Sequence, residues 1–80
     1  MKVLKFGASW CTPCKMLQHI IDGIDSDVPI ESVDIDEESE RAMQYAVRGV
    51  PTLVMLDDTG TEIKRNVGVL TRDKLLEWLK

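Results

Sequence analysis

The sequence is poor in metal ligands: one histidine and two cysteines among 80 residues. A structural zinc takes about four ligands. His19 lies five residues beyond Cys14, about 140° around a helix and so pointing away from it. No metal site is expected within one chain, and only a cluster shared between two chains would supply the missing ligands. Long apolar runs are also lacking, so no membrane-spanning helix is expected. The run Met1–Phe6 is too short for a signal peptide, and the expected location is the cytoplasm. Basic excess is absent as well: ten Lys and Arg face fourteen Asp and Glu, for a net charge of −4. A nucleic-acid binder would carry a positive patch, because phosphate contacts supply much of its affinity. Here the basic residues are scattered, and Glu31–Glu40 holds six acidic residues and no basic one. That stretch reads as a solvated helix start, with a docking surface for a basic partner as the alternative. Repeats, linkers and low-complexity segments are missing too.

What remains is enough for one small domain, residues 1–80, expected to be a monomer. A chain this short buries only about 60–65% of the surface its unfolded form exposes, so nearly every apolar residue must serve one core. Val3–Phe6 reads as a buried strand. Gly7–Trp10 is a loop. From Cys11 the pattern becomes helical: Leu17, Ile20, Ile21 and Ile24 share one face, Pro13 sits in the tolerant first turn, and the helix should end near Gly23. Pro29–Ile35 alternates as a second strand. Asp36 is expected to cap a second helix, with Ala42, Met43, Ala46 and Val47 as its buried stripe. Leu53–Leu56 is a third strand, Asp57–Gly60 a turn, and Thr61–Val67 a fourth strand, the last two strands forming a hairpin. Thr71 caps a final helix, with Leu70 and Leu75 as a hydrophobic staple. The expected fold is α/β, in the order β-α-β-α-β-β-α. It is a four-stranded mixed sheet with helices on both faces, its first two strands joined by a right-handed parallel crossover.

The two cysteines stand at C-x-x-C spacing, which in a reducing compartment favours redox or metal chemistry over a structural staple. The segment Trp10-Cys11-Thr12-Pro13-Cys14-Lys15 resembles the W-C-x-P-C-K active-site segment of the thioredoxin family. Arg48-Gly49-Val50-Pro51-Thr52 resembles the family's second signature, and Val67-Gly68 its third site-lining segment, at matching spacings. The resemblance covers the chain from Lys2 onward. It is nearest to compact thioredoxin-like and glutaredoxin-like proteins, which lack the strand and helix that precede the position of Val3 in full-length thioredoxins. Four positions depart from the family. Gly7 stands for a usual tryptophan, His19 for a helix-kinking proline, Lys5 for a buried aspartate, and Ser32 for that aspartate's lysine partner.

The resemblance implies a thiol–disulfide oxidoreductase with no bound cofactor, whose redox group is the Cys11–Cys14 disulfide. Disulfide exchange needs a thiolate. A helix N-terminus lowers a thiol pKa from about 8.5 toward about 7, which suits Cys11 as an exposed nucleophile. Cys14, one turn deeper, would resolve the mixed disulfide. Trp10, Thr12, Pro13, Val50, Pro51 and Gly68 are expected to meet the substrate. A cis bond before Pro51, implied by the resemblance, would let Val50 offer its backbone to an extended chain; without the resemblance, a trans proline opening a strand is an equal reading. Lys15 could help hold Cys11 as thiolate. Lys5 could act on Cys14 through its charge, or run along apolar neighbours with its ammonium in water near Glu31 or Asp34. The expected partners are proteins carrying disulfides, with thioredoxin reductase or, alternatively, glutathione as electron donor. The uncharged Thr12-Pro13 pair points to a reducing poise. The reading from another class is a non-catalytic partner subunit that binds through the same surface.

Overall fold

The computed structural model describes residues 1–80. Its elements run β1 (Lys2–Gly7), α1 (Thr12–Asp22), β2 (Ile30–Asp34), α2 (Ser39–Gln44), β3 (Thr52–Leu56), β4 (Glu62–Val67) and α3 (Arg72–Trp78). The order is the one expected from the sequence. The strands form one sheet ordered β2-β1-β3-β4. β1 lies parallel to β2 and antiparallel to β3, and β3 is antiparallel to β4.

The period of two in β1 and β3 divides the core into two layers. Val3, Leu53 and Met55 face one side and pack with Leu17 of α1, Leu75 of α3 and Leu79. Leu4, Phe6, Val54 and Leu56 face the other and pack with Val33 of β2 and Ala42 of α2. The register that sets Val3 opposite Met55 and Leu4 opposite Val54 keeps both layers apolar. Ile20, Ile21 and Ile24 join Leu17 on the first layer, as the helical spacing requires. Phe6 meets Tyr45 with ring centroids 5.7 Å apart, closing the second layer.

The punctuation of the chain follows local chemistry. At α3, Thr71 Oγ1 accepts from Lys74 N at 3.3 Å, and Leu70 packs against the cluster containing Leu75. In the hairpin turn, one Asp57 carboxylate oxygen accepts from Thr59 N, Thr59 Oγ1 and Thr61 N. Gly60 supplies the left-handed residue, with φ of 86°.

α2 differs from the sequence expectation. Asp36 is not its cap: Asp34 Oδ1 accepts from Asp36 N at 2.8 Å and Glu37 N at 3.3 Å, which makes the turn. The helix begins later, with Glu38 at the N-cap and no side-chain capping bond. In an acidic run several carboxylates compete for the free N–H groups, and Asp34, held at the end of β2, takes those of the turn ahead of the helix. The helix then lasts only six residues, too few for a stripe reaching Val47. Ala42 alone is buried within it, Met43 is 78% exposed, and Ala46 takes a left-handed conformation, φ 53°, outside the helix.

Candidate functional site

The loop after β1 leads directly into α1, so the sheet's end and a helix N-terminus meet at the cysteines. Cys11 is the N-cap of α1 and Pro13 its second residue. Cys14 N donates to Cys11 Sγ at 3.2 Å, so one of the helix's free N–H groups already points at that sulfur. Cys11 and Cys14 are joined as a disulfide, with Cα atoms 5.2 Å apart. Cys11 is not exposed as expected: both cysteines are about 4% exposed, because Ala8, Ile35 and Val50 pack around the pair. Sequence reasoning gives Ile35 no place at the site. It lies one residue past the end of β2, and its alternation with Val33 is the signal that brings it to the same end of the sheet.

Of the other expected site residues, Val50 packs against the pair. The Val50–Pro51 peptide bond is cis, and the Val50 carbonyl oxygen lies 3.7 Å from Cys11 Sγ. Pro51 O accepts from Gly68 N at 2.9 Å, which ties the Gly68 turn to the proline. Gly68 has φ of 98°, and a side chain there would project into open space. Thr52 Oγ1 donates to Gly49 O at 2.7 Å and pins the far side of the turn. Trp10 flanks the site at 66% exposure, its Nε1 donating to Asp36 Oδ2 at 2.9 Å. Thr12, Pro13 and Lys15 are exposed on the first turns of α1.

Lys5 is the residue whose setting departs furthest from a solvated lysine. It is 7% exposed and donates from Nζ to Gln18 Oε1. Gln18 Nε2 in turn donates to Asp22 Oδ1 at 2.8 Å, and Ser32 Oγ reaches Gln18 Oε1 at 3.4 Å. Neither Glu31 nor Asp34 is its partner. Glu31 is taken by Lys2 and Arg41, because successive β1 side chains point to opposite faces and Lys5 faces α1. Burial pushes the Lys5 ammonium below its usual pKa, and Asp22 opposes that shift. Gln18 and Asp22 follow Cys14 at helical spacing, a signal the sequence carried. Lys5, Gly7, Cys14, Lys15, Gln18, Ser32 and Asp34 border one cavity of about 230 Å³. No group of three or more His, Cys, Asp or Glu side chains is placed to hold a metal ion.

The arrangement is a two-cysteine redox centre beside a cis-proline turn. The Thioredoxin family model matches residues 1–80. Thioredoxin of Chlamydia trachomatis is 38% identical over 78 residues, covering 94% of this chain and 76% of that one. The SPbeta prophage-derived thioredoxin-like protein YosR of Bacillus subtilis is 34% identical over 82 residues, covering all of both chains. A solved mutant thioredoxin from Halobacterium salinarum superposes with a TM-score of 0.89 at 35% identity, covering 96% of this chain and 69% of that one. The chain belongs to the thioredoxin family and is a thioredoxin-like disulfide oxidoreductase whose redox group is the Cys11–Cys14 disulfide.

Proposed function

We propose that the protein reduces disulfides in other proteins, with Cys11 as nucleophile and Cys14 as the resolving thiol. The observation that carries this assignment is the N–H of Cys14 directed at Cys11 Sγ at 3.2 Å. In the reduced state that bond and the helix dipole favour a thiolate at Cys11 over one at Cys14. The Cys11 thiolate attacks a substrate sulfur, forming the mixed disulfide and releasing the substrate's other sulfur as thiolate. The Cys14 thiolate then attacks Cys11 Sγ, the substrate leaves reduced, and the internal disulfide re-forms.

Substrate would lie between Trp10 and the two turns. Val50 holds its backbone beside Cys11, and proline at 51 adds no competing N–H donor. The missing side chain at Gly68 leaves room for an approaching main chain. Thr12 and Pro13 border the approach to Cys11, and Lys15 adds positive charge near it. Both sulfurs are nearly covered in the oxidised state, with Ala8, Ile35 and Val50 packed around the pair. A reducing role suits a reducing compartment, and the cytoplasm is the proposed location.

The test is turnover of insulin disulfides with either of two donor systems: NADPH with a thioredoxin reductase, or glutathione with its reductase. Faster turnover in the first is the expected result. Turnover only in the second would make the protein glutaredoxin-like. Activity that survives loss of both cysteines would leave it a binding subunit.

A further inference from the structure

The cavity of about 230 Å³ beside the disulfide is bordered by Cys14 but not by Cys11. It exists because residue 7 is glycine. A Cβ built at Gly7 would lie 3.5 Å from both Cβ and Sγ of Cys14, so a longer side chain there would stand against that sulfur. The volume exceeds the roughly 150 Å³ that holds a benzene and falls short of the roughly 300 Å³ at which drug-sized pockets begin. The border carries the cations Lys5 and Lys15 against the single anion Asp34. Asp34 already spends one carboxylate oxygen on two backbone N–H groups, and Asp22 offsets part of the Lys5 charge.

We infer that this cavity is an entry for a low-molecular-weight thiol, which reduces the disulfide by attacking Cys14 from the side opposite Cys11. The inference rests on Cys11–Cys14 being the exchanging pair. Attack on a disulfide sulfur proceeds in line with the sulfur that leaves. A nucleophile in a space bordered by Cys14 alone therefore expels Cys11. Cys11 is also the better leaving group, since the Cys14 N–H stabilises the charge it acquires.

The small thiolate forms a bond to Cys14 Sγ as the Cys14–Cys11 bond breaks, and the electron pair goes to Cys11. A second small thiolate then attacks the sulfur of the first. It forms a small-molecule disulfide and releases Cys14 as thiolate, which takes its proton from solvent. Two small thiols are oxidised and the protein disulfide is reduced. Protein substrates approach Cys11 from the Pro51 side, so the two ends of the exchange use different sulfurs and different faces.

The test uses the full oxidised chain and 2-mercaptoethanol alone. The reaction is quenched early with N-ethylmaleimide, and the adduct is located by tandem mass spectrometry. Mercaptoethanol on Cys14 with maleimide on Cys11 is the expected result. Mercaptoethanol on Cys11, or an even division, overturns the inference. A second measurement fills the cavity with Gly7→Leu, which should slow reduction by mercaptoethanol while oxidised Gly7→Leu protein keeps its wild-type far-UV circular dichroism. A folded Gly7→Leu protein reduced at the wild-type rate overturns the inference too. A third compares 3-mercaptopropionate with cysteamine at equal thiolate concentration. The anionic thiol should react about two- to fivefold faster, the range expected of weakly screened charge pairs, and equal rates contradict the role of the cationic border. These readings concern the protein's own disulfide. They stand whether or not insulin is reduced, so failure of the wider functional reading is seen separately.

Discussion

Lys5→Met keeps a stem of similar length and removes the charge, so it isolates what the buried ammonium does to Cys14. Lys5 and Gly7 are two residues apart on one face of β1, about 7 Å along the strand. Gly7 in turn abuts Cys14 Sγ. The ammonium, held by Gln18 one turn beyond Cys14, therefore lies on the order of 7 Å from that sulfur. At an effective dielectric constant of about 20, a unit charge at that distance stabilises a thiolate by about 2.4 kcal/mol. Asp22 is bonded to the same Gln18 and opposes this; if it offsets about half, about 1.2 kcal/mol remains, close to a tenfold change in ionisation. The assay is release of a chromogenic thiol from a mixed disulfide on Cys11, followed against pH. Lys5→Met should slow release roughly tenfold near neutral pH and displace the pH–rate profile upward by about one unit, with the plateau rate recovered at high pH. Stability should move the other way. A lysine whose pKa is lowered on folding costs stability where it is protonated, and that cost disappears as pH rises toward the unfolded value near 10.5. Lys5→Met should therefore melt at or above the wild-type temperature at pH 7 and lose the alkaline gain. An unchanged pH–rate profile in a folded variant would refute the electrostatic reasoning and leave Lys5 as packing.

Other outcomes follow from the same geometry. Leu17 is fully buried between α1 and the sheet, so Leu17→Ala should cost about 3 kcal/mol, lowering Tm by on the order of 12–24 °C in calorimetry. Hydrogen bonds from Arg41 and Lys2 hold the Glu31 carboxyl at about 2, against 4.5 ordinarily. The stability these bonds contribute is present above about pH 4.5 and lost as pH falls toward 2, so Glu31→Gln should flatten part of the acid limb in denaturant titrations. With no charge between the cysteines, equilibration in glutathione buffers should give a potential nearer about −270 mV than about −120 mV, and a value above about −180 mV would indicate an oxidase or isomerase.

The elements that bury a continuous apolar face were legible in the sequence. The Val3–Phe6 run, the Leu17–Ile24 stripe and the Asp57–Gly60 turn all lie where the residues place them, because each has one low-energy way to bury its carbons or satisfy its backbone. The cysteines and Pro51 were legible from the resemblance of their short segments. α2 was less so: Asp34, Asp36, Glu37 and Glu38 can each cap a helix, and the strand decides which one turns the chain. Placing Met43 in the core assumed a helix longer than the six residues that form. The cover over Cys11 was legible only in part: the resemblance places Val50 and the alternation with Val33 places Ile35 at that end of the sheet, but their closing over the sulfurs depends on tertiary packing. The cavity beside Cys14 follows from an absence at Gly7, and an absence has no volume until its neighbours are placed around it. The Lys5–Gln18–Asp22 chain was half visible, at helical spacing from Cys14, but its direction depended on which face of β1 carries Lys5.

Trapping tests the central assignment most directly. A protein disulfide such as insulin is offered to reduced Cys14→Ser and reduced Cys11→Ser, and covalent complexes are separated under non-reducing conditions. With Cys14→Ser, a mixed disulfide through Cys11 should accumulate and persist, because the thiol that resolves it is gone. Cys11→Ser should hold almost none. Equal trapping by both variants, or trapping only through Cys14, would contradict the assignment of Cys11 as the attacking sulfur.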